Sequence, residues 1–260
     1  MSNVHPTAVL TGQVELAEDV TIGPFVAIQG PAVIGRGTII DAHCRLEGPI
    51  RIGEGNHVFP FCSLGSAPQD ISYKGEPTEL VIGDHNLIRE FATFNRGTVK
   101  GGGLTRVGSH CLFMAYPHIA HDCIVEDHVV FANGATLGGH VSVGFRSTVG
   151  AFTGVHQFCR IGPYAFVGGY SVITRDALPF VKTVGERNHA AIYGINSIGL
   201  QRLGFPKERI ETLQRAYRLL FRQTSNLGQG LANLREHLPV DGDVKILVDF
   251  IESSKRGVIR

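Results

Sequence analysis

Aliphatic residues recur every six positions along most of this chain. Stepping by six from Val4 gives Leu10, Leu16, Ile22, Ile28, Ile34, Ile40, Leu46, Ile52, Val58 and Leu64. The beat resumes at Ile82, Ile88 and Phe94. It resumes again at Val107 and runs through Phe113, Ile119, Val125, Phe131, Leu137, Val143, Val149, Val155, Ile161 and Val167 to Ile173. Twelve consecutive hits in one frame are not a chance alignment of β-rich segments. The other slots are regular too. The position after the lead is Gly in eleven hexads, Gly23, Gly35, Gly53, Gly65 and Gly162 among them. Glycine there predicts tight corners reached through positive φ. The fifth position is mostly small or β-branched, as in Ala8, Val20, Thr38, Ala135 and Ser147. Fifth position and next lead are two apart, so on an extended strand they share a face. Each hexad therefore predicts a short strand and a corner, with one large and one small residue turned inward.

Three hexads predict one triangular coil of about 18 residues, and the whole an all-β solenoid. Residues 70–81 (DISYKGEPTELV) interrupt the beat and keep its phase; residues 100–106 (KGGGLTR) shift it by one. Such interruptions are expected as loops on one face, where function concentrates. The three glycines are not a phosphate-binding loop, because no Lys-Ser/Thr follows. The solenoid is expected over residues 1–195. Residues 196–260 read as a C-terminal helical domain. Ile210, Leu213, Tyr217, Leu220 and Phe221 take helical spacing after Pro206; Leu227–Glu236 and Val244–Glu252 predict two more helices. These helices are candidates to cap the solenoid's open end.

Composition sharpens the chemistry. The chain has 260 residues with Lys+Arg 24 against Asp+Glu 23, a net charge of +1. That balance gives no electrostatic footprint for nucleic acid. From residue 200 onward, however, eleven basic residues face seven acidic ones, which suits a dock for an acidic partner. The apolar runs are too short to span a bilayer, and the start carries no secretory pattern, so a cytoplasmic protein without integral membrane contact is expected. The five cysteines Cys44, Cys62, Cys111, Cys123 and Cys159 all fall in the fifth, inward slot. They read as reduced packing residues rather than ligands or nucleophiles.

Histidine carries the functional signal. Of twelve, four stand out: His118, His121, His140 and His156. None occupies an inward slot, and the steps from 121 to 140 and from 140 to 156 are close to one coil. A groove lined by histidines supports general base catalysis. It also suits a zinc site, where three His and a water are a common set, although no carboxylate-rich or H-x4-H cluster stands out and the thiols are turned inward.

The stretch His-Ile-Ala-His-Asp-Cys (118–123) resembles the core motif of the acyl-carrier-protein–UDP-N-acetylglucosamine O-acyltransferases, the family that opens lipid A synthesis. Val-His-Pro-Thr-Ala (4–8), Gly-Glu-Pro-Thr (75–78), Gly-His-Val-Ser-Val (139–143), Val-His-Gln-Phe-Cys (155–159) and the terminal Arg-Gly-Val-Ile-Arg (256–260) extend the resemblance from end to end. It implies a left-handed parallel β-helix in a homotrimer with sites between subunits. It implies transfer of a 3-hydroxyacyl chain from acyl carrier protein to the 3-hydroxyl of a UDP-sugar, with no cofactor and no metal. His121 would be the general base, Asp122 its orienting partner and the Gly139 N–H an oxyanion donor. Asp70, Lys74, His118, His140, His156, Gln157, Asn196 and Arg202 would line the substrate groove, and Gly169 would end the acyl channel. The chain departs from the family pattern at Ser72, Asn95, Ile198 and Leu203, positions expected to bear on substrate contacts. A zinc-dependent hexapeptide-repeat lyase and a non-catalytic paralogue that binds acyl carrier protein are the competing readings. The related N-acyltransferases carry a domain before their hexads, which here begin at residue 4.

Overall fold

The computed structural model describes residues 1–260. The chain winds through three parallel sheets in strict rotation. Sheet A has eleven strands, from Asn3–Val4 to Ala191–Ile195; sheet B has nine, from Val9–Thr11 to Val172–Ile173; sheet C has eight, from Val14–Leu16 to Arg160–Ile161. Each strand pairs with the one a coil away, as Val107 with Val125, Val125 with Val143 and Val143 with Ile161. That register places every lead residue on the lead below it. Phe113 and Phe131 of sheet A lie on each other this way, with ring centroids 5.1 Å apart, while Phe94 of sheet B meets Phe113 edge-on across the interior at 5.0 Å. The leads from Ile22 to Ile173 are buried, and so are all five cysteines. The first coil has nothing beneath it, so Val4 is exposed and Leu10 and Leu16 only half-buried.

The glycine expectation fails in an instructive way. Of the second-slot glycines only Gly65, at the start of the first insertion, has positive φ. The rest are small because neighbouring coils touch there. A Cβ on Gly35 would lie 2.5 Å from the Gly53 carbonyl carbon, and one on Gly83 2.9 Å from that of Gly108. The left-handed residue is instead the fourth slot, which turns the chain at each corner. It is filled by Asp19, Phe25, His43, Phe61, His85, Phe91, His110, Tyr116, Asp122, His128, His140 and others, all with φ near +60°. An L-residue there costs about 1–2 kcal/mol. Stacking on the same slot of the next coil offsets this strain. On the corner from sheet A to sheet B (corner AB), Phe25, His43, Phe61, Phe91 and Tyr116 form one column of parallel rings.

Both insertions leave the solenoid at the corner from sheet B to sheet C (corner BC). They end earlier than the hexad beat suggests. Strands Glu79–Ile82 and Leu104–Val107 already lie in sheet C, so only residues 67–78 and 96–103 loop out. Beyond the last full coil, strands Val181–Val184 and Ala191–Ile195 form an antiparallel hairpin that the six-residue beat does not reveal. The short helix α1 (Ser197–Arg202) was likewise not anticipated. Helices α2 (Lys207–Phe221), α3 (Leu227–His237) and α4 (Gly242–Glu252) follow the apolar spacing. Most of their buried residues join the solenoid core, closing its C-terminal end, while Ile210 and Leu213 of α2 pack with Phe180 and Leu200 in a small separate cluster. The last residues then return to the solenoid: Ile259 N–H donates to the Asp176 carbonyl at 2.9 Å. No helix is long and apolar enough to cross a membrane.

Candidate active site

Corner BC gathers most of the singled-out residues. Asp122 takes the left-handed fourth slot, and that turn swings its carboxylate back beside its own neighbour. His121 Nδ1 lies 2.7 Å from Asp122 Oδ2, although the two are adjacent in sequence. The Asp122 side chain is 1% exposed and that of His121 14%. A buried carboxylate is tolerated only when its oxygens are satisfied. Thr98 supplies two donors: its N–H reaches Oδ1 at 2.7 Å and its hydroxyl reaches Oδ2 at 2.6 Å. The Asp122 N–H in turn donates to Thr105 Oγ1 at 2.8 Å. With Asp122 ionised, the imidazole proton sits on Nδ1, and Nε2 is left as a free acceptor.

His140 occupies the same corner one coil on. Its ring stands edge-to-face on His121 at 5.1 Å and parallel to Phe158 at 4.4 Å; its Nε2 is 3.6 Å from Asp122 Oδ2. Gly139 is buried between the two histidines. A Cβ there would lie 2.5 Å from His121 Cε1 and would push the imidazole aside, and the Gly139 N–H donates to no protein acceptor. His118, on the outer face of sheet B, has Nδ1 at 2.8 Å from Thr93 Oγ1. Burial, helped by the nearby His121, pushes its pKa down and keeps it neutral at pH 7. Asp70, on the first insertion, accepts from the Ser72 N–H at 2.8 Å. That bond, with weaker help from His121 and Lys100, holds its carboxyl below the usual range. Lys74 is exposed at the tip of the same loop. His156 and Gln157 are exposed on this corner one coil beyond His140, and Arg256 from the C-terminal segment lies 3.3 Å from His156 Nδ1.

Three singled-out residues lie elsewhere. Gly169 is on corner AB, at the opposite edge of sheet B and three coils along, about 14 Å at the usual strand spacing. Asn196 and Arg202 lie beyond the outer face of sheet A, beside the corner from sheet C to sheet A (corner CA). There they line a cavity of about 810 Å³ together with His110, His128, Arg146 and Lys182. The lining carries three full cations and no carboxylate. One chain thus separates this cationic cavity from the His121 corner.

The departures from the family pattern divide. Asn95 and its neighbour Arg96 are buried and hold the first insertion rather than facing the groove. Asn95 Nδ2 donates to the Ala67 carbonyl at 3.1 Å; Arg96 donates to the Gly65 carbonyl, to Glu47 Oε1 at 3.3 Å and to the Tyr73 hydroxyl at 3.2 Å. Asn95 thus spends its Nδ2 on loop backbone, while its Oδ1 is buried without a partner. Ser72 is half-buried in its loop, while Ile198 and Leu203 are exposed on the rim of the cationic cavity.

His121, Asp122 and His140 also have ligand atoms within 4.8 Å of one another, the spacing of a metal trio. The donor set fits a metal poorly. Both Asp122 oxygens already accept hydrogen bonds, and His121 would have to surrender Nδ1. Thr98, Thr105 and Gly101 belong to the site but were not singled out from sequence. Thr98 lies in an insertion without periodic phase, Thr105 takes the inward slot two before Val107 and reads as packing, and only the glycine run marks Gly101.

Comparison with known proteins bears on the chain as a whole. A family model described as UDP N-acetylglucosamine O-acyltransferase, domain 2, matches residues 176–259, and one described as bacterial transferase hexapeptide (six repeats) matches residues 13–48. An acyl-[acyl-carrier-protein]–UDP-N-acetylglucosamine O-acyltransferase of Thiobacillus denitrificans is 48% identical over 260 residues, covering 100% of both chains. Another from Halorhodospira halophila is 50% identical, again covering 100% of both. Among solved structures, LpxA from Acinetobacter baumannii superimposes with a TM-score of 0.94 at 41% identity, over 99% of each chain. The UDP-N-acetylglucosamine O-acyltransferase (LpxA) of Moraxella catarrhalis gives 0.94 at 40%, over 99% of each. By full-length similarity in sequence and fold, this chain is an acyltransferase and belongs to the acyl-[acyl-carrier-protein]–UDP-N-acetylglucosamine O-acyltransferase family.

Proposed function

We propose that the protein transfers a 3-hydroxyacyl group from acyl carrier protein to the 3-hydroxyl of UDP-N-acetylglucosamine, the opening step of lipid A synthesis, with His121 as general base. The observation that carries the mechanism is the buried His121–Asp122 contact, in which Nδ1 meets the carboxylate at 2.7 Å and Nε2 lies beside Gly139 with no hydrogen-bond partner. Nε2 takes the proton from the sugar hydroxyl as its oxygen attacks the thioester carbon. The Gly139 N–H, unpaired within the fold, suits the developing oxyanion. Collapse of the tetrahedral intermediate breaks the carbon–sulfur bond, and His121 returns the proton to the leaving thiolate. Neutral His118 is suited to a polar group of the sugar, and the basic C-terminal helices to an acidic carrier protein. No cofactor enters these steps. A cytoplasmic location suits five free thiols.

Two features favour a homotrimer. The cationic cavity around Asn196 and Arg202 suits the nucleotide diphosphate, yet it lies on a different face from His121. Setting sheet B of one copy against sheet A of the next brings corner BC beside the neighbour's corner CA. The same packing turns the exposed rings of Phe25, Phe61, Phe91, Tyr116, Phe152 and Tyr170 on corner AB toward a common axis. The deciding experiment is an acylation assay with UDP-N-acetylglucosamine and its 3-amino analogue over a panel of 3-hydroxyacyl carriers, alongside light scattering. Acyl transfer by a trimer supports the reading; absence of transfer with every carrier refutes it in favour of a non-catalytic paralogue.

A further inference from the structure

The second insertion stands directly over Asp122. Thr98 is buried and gives both of its donors to the two oxygens of that carboxylate. It also caps the single turn Val99–Gly101, whose Gly101 N–H donates back to Thr98 Oγ1 at 3.2 Å. The hydroxyl thus accepts from Gly101 while it donates its proton to Asp122 Oδ2. Gly101 itself passes so close that a Cβ would lie 2.0 Å from Asp122 Cγ. Two independent observations, a doubled hydrogen bond and a steric requirement for glycine, thus fit this loop to one side chain.

We propose that residues 96–103 form a positioning loop for Asp122, with Thr98 and Gly101 as positioning residues that select His121 as the base. The inference rests on the general-base reading above. Oδ2 lies within 3.6 Å of both His121 Nδ1 and His140 Nε2. With Thr98 fixing the carboxylate plane, Oδ2 meets His121 at 2.7 Å and leaves His140 beyond hydrogen-bond range. A carboxylate free to rotate would share itself between the two rings, and His121 would lose its fixed Nδ1–H tautomer. The Asp122 backbone is pinned separately by Thr105, so loss of Thr98 frees the side chain without freeing the corner.

The test compares Thr98→Val, Thr98→Ser, Gly101→Ala, Asp122→Asn and the double variant Thr98→Val/Asp122→Asn. Thr98→Val and Gly101→Ala are expected to lower kcat by about 10- to 100-fold, the scale of a small misplacement of a catalytic group. KM for the nucleotide sugar should change by less than about threefold, because no ground-state contact is lost. Thr98→Ser should restore turnover. The double variant should match Asp122→Asn alone, since Thr98 acts through that carboxylate. Losses that multiply in the double variant, or a Thr98→Val enzyme with wild-type kcat, would overturn the proposal. Should Thr98→Val fail to fold, Gly101→Ala and Thr98→Ser carry the same comparison. A readout independent of turnover is the His121 Nδ1 proton, which a carboxylate partner moves far downfield in the NMR spectrum. It should appear in wild type and Thr98→Ser and vanish in Gly101→Ala. If the wild-type protein acylates nothing, the functional reading falls while this signal still judges the loop; an unchanged signal in Gly101→Ala refutes the loop's role.

Discussion

Replacing Asp122 by Asn changes one atom and inverts the logic of the corner. Thr98 presents an N–H to Oδ1 at 2.7 Å, so the amide oxygen of Asn must take that place. The amide nitrogen then occupies the Oδ2 position, 2.7 Å from His121 Nδ1. It can donate to the Thr98 hydroxyl oxygen, but it confronts Nδ1 with a donor. The imidazole responds by moving its proton to Nε2, the atom that has to accept the substrate proton. A wrong tautomer in a histidine–carboxylate pair lowers kcat by about 10⁴-fold. At 1.36 kcal/mol per tenfold this is about 5.4 kcal/mol of transition-state stabilisation. Weakened charge-assisted bonds to Thr98 should also lower stability by about 1–3 kcal/mol. Thermal unfolding must therefore show a folded protein at the assay temperature. Steady-state acylation of UDP-N-acetylglucosamine, with kcat and KM separated, reads the result. A folded Asp122→Asn enzyme within about tenfold of wild type would refute the tautomer argument, because general base catalysis alone contributes at least about 10²-fold.

Three further outcomes follow from the geometry. Gly35→Ala, whose Cβ would meet the Gly53 backbone at 2.5 Å, should cost about 1–3 kcal/mol by denaturant unfolding; Gly37→Ala, at φ +65° in open space, should cost about 1 kcal/mol, and the reverse order would refute the contact role of second-slot glycines. His118 has a folded pKa below its ordinary 6.5. The folded state therefore binds its proton less readily than the unfolded chain, so its contribution to stability is present above 6.5 and lost as pH falls from there toward the lowered value. His118→Gln should accordingly flatten the fall in Tm from pH 7 to 5, and an unchanged slope would contradict the burial argument. Gly169→Met, which projects a side chain from corner AB, should shift acyl preference to shorter carriers; an unaltered chain-length profile would remove Gly169 from the acyl path.

Much of the fold is written in the lead positions. Residues such as Ile22, Ile28 and Ile34 repeat with a period that only stacked coils can bury, so sheets and register follow directly. The corners are ambiguous in sequence because glycine is permissive in φ and also lacks a Cβ. Gly35 and Gly83 use the second property, while His43 and Tyr116 bear the strained φ through ring stacking. The hairpin from Val181 to Ile195 escaped because it is antiparallel and off the beat. In the site, the histidines were legible because outward slots one coil apart must share an edge. The His121–Asp122 contact was open, since adjacent residues on a strand point apart and only the left-handed turn at Asp122 brings them together. Thr98 was not legible at all: it reaches Asp122 from an insertion with no periodic phase, across 24 residues. Asn196 and Arg202 came from resemblance, and a single chain gives no contact that would have paired them with His121.

The central claim is that His121 Nε2 removes the acceptor proton. It is tested most directly by single-turnover acyl transfer from a 3-hydroxyacyl carrier to UDP-N-acetylglucosamine by His121→Ala, with nucleotide-sugar binding measured on the same sample. The account predicts undiminished binding with transfer slowed by at least about 10²-fold across pH 6–9. Transfer near the wild-type rate by a folded His121→Ala protein would contradict it.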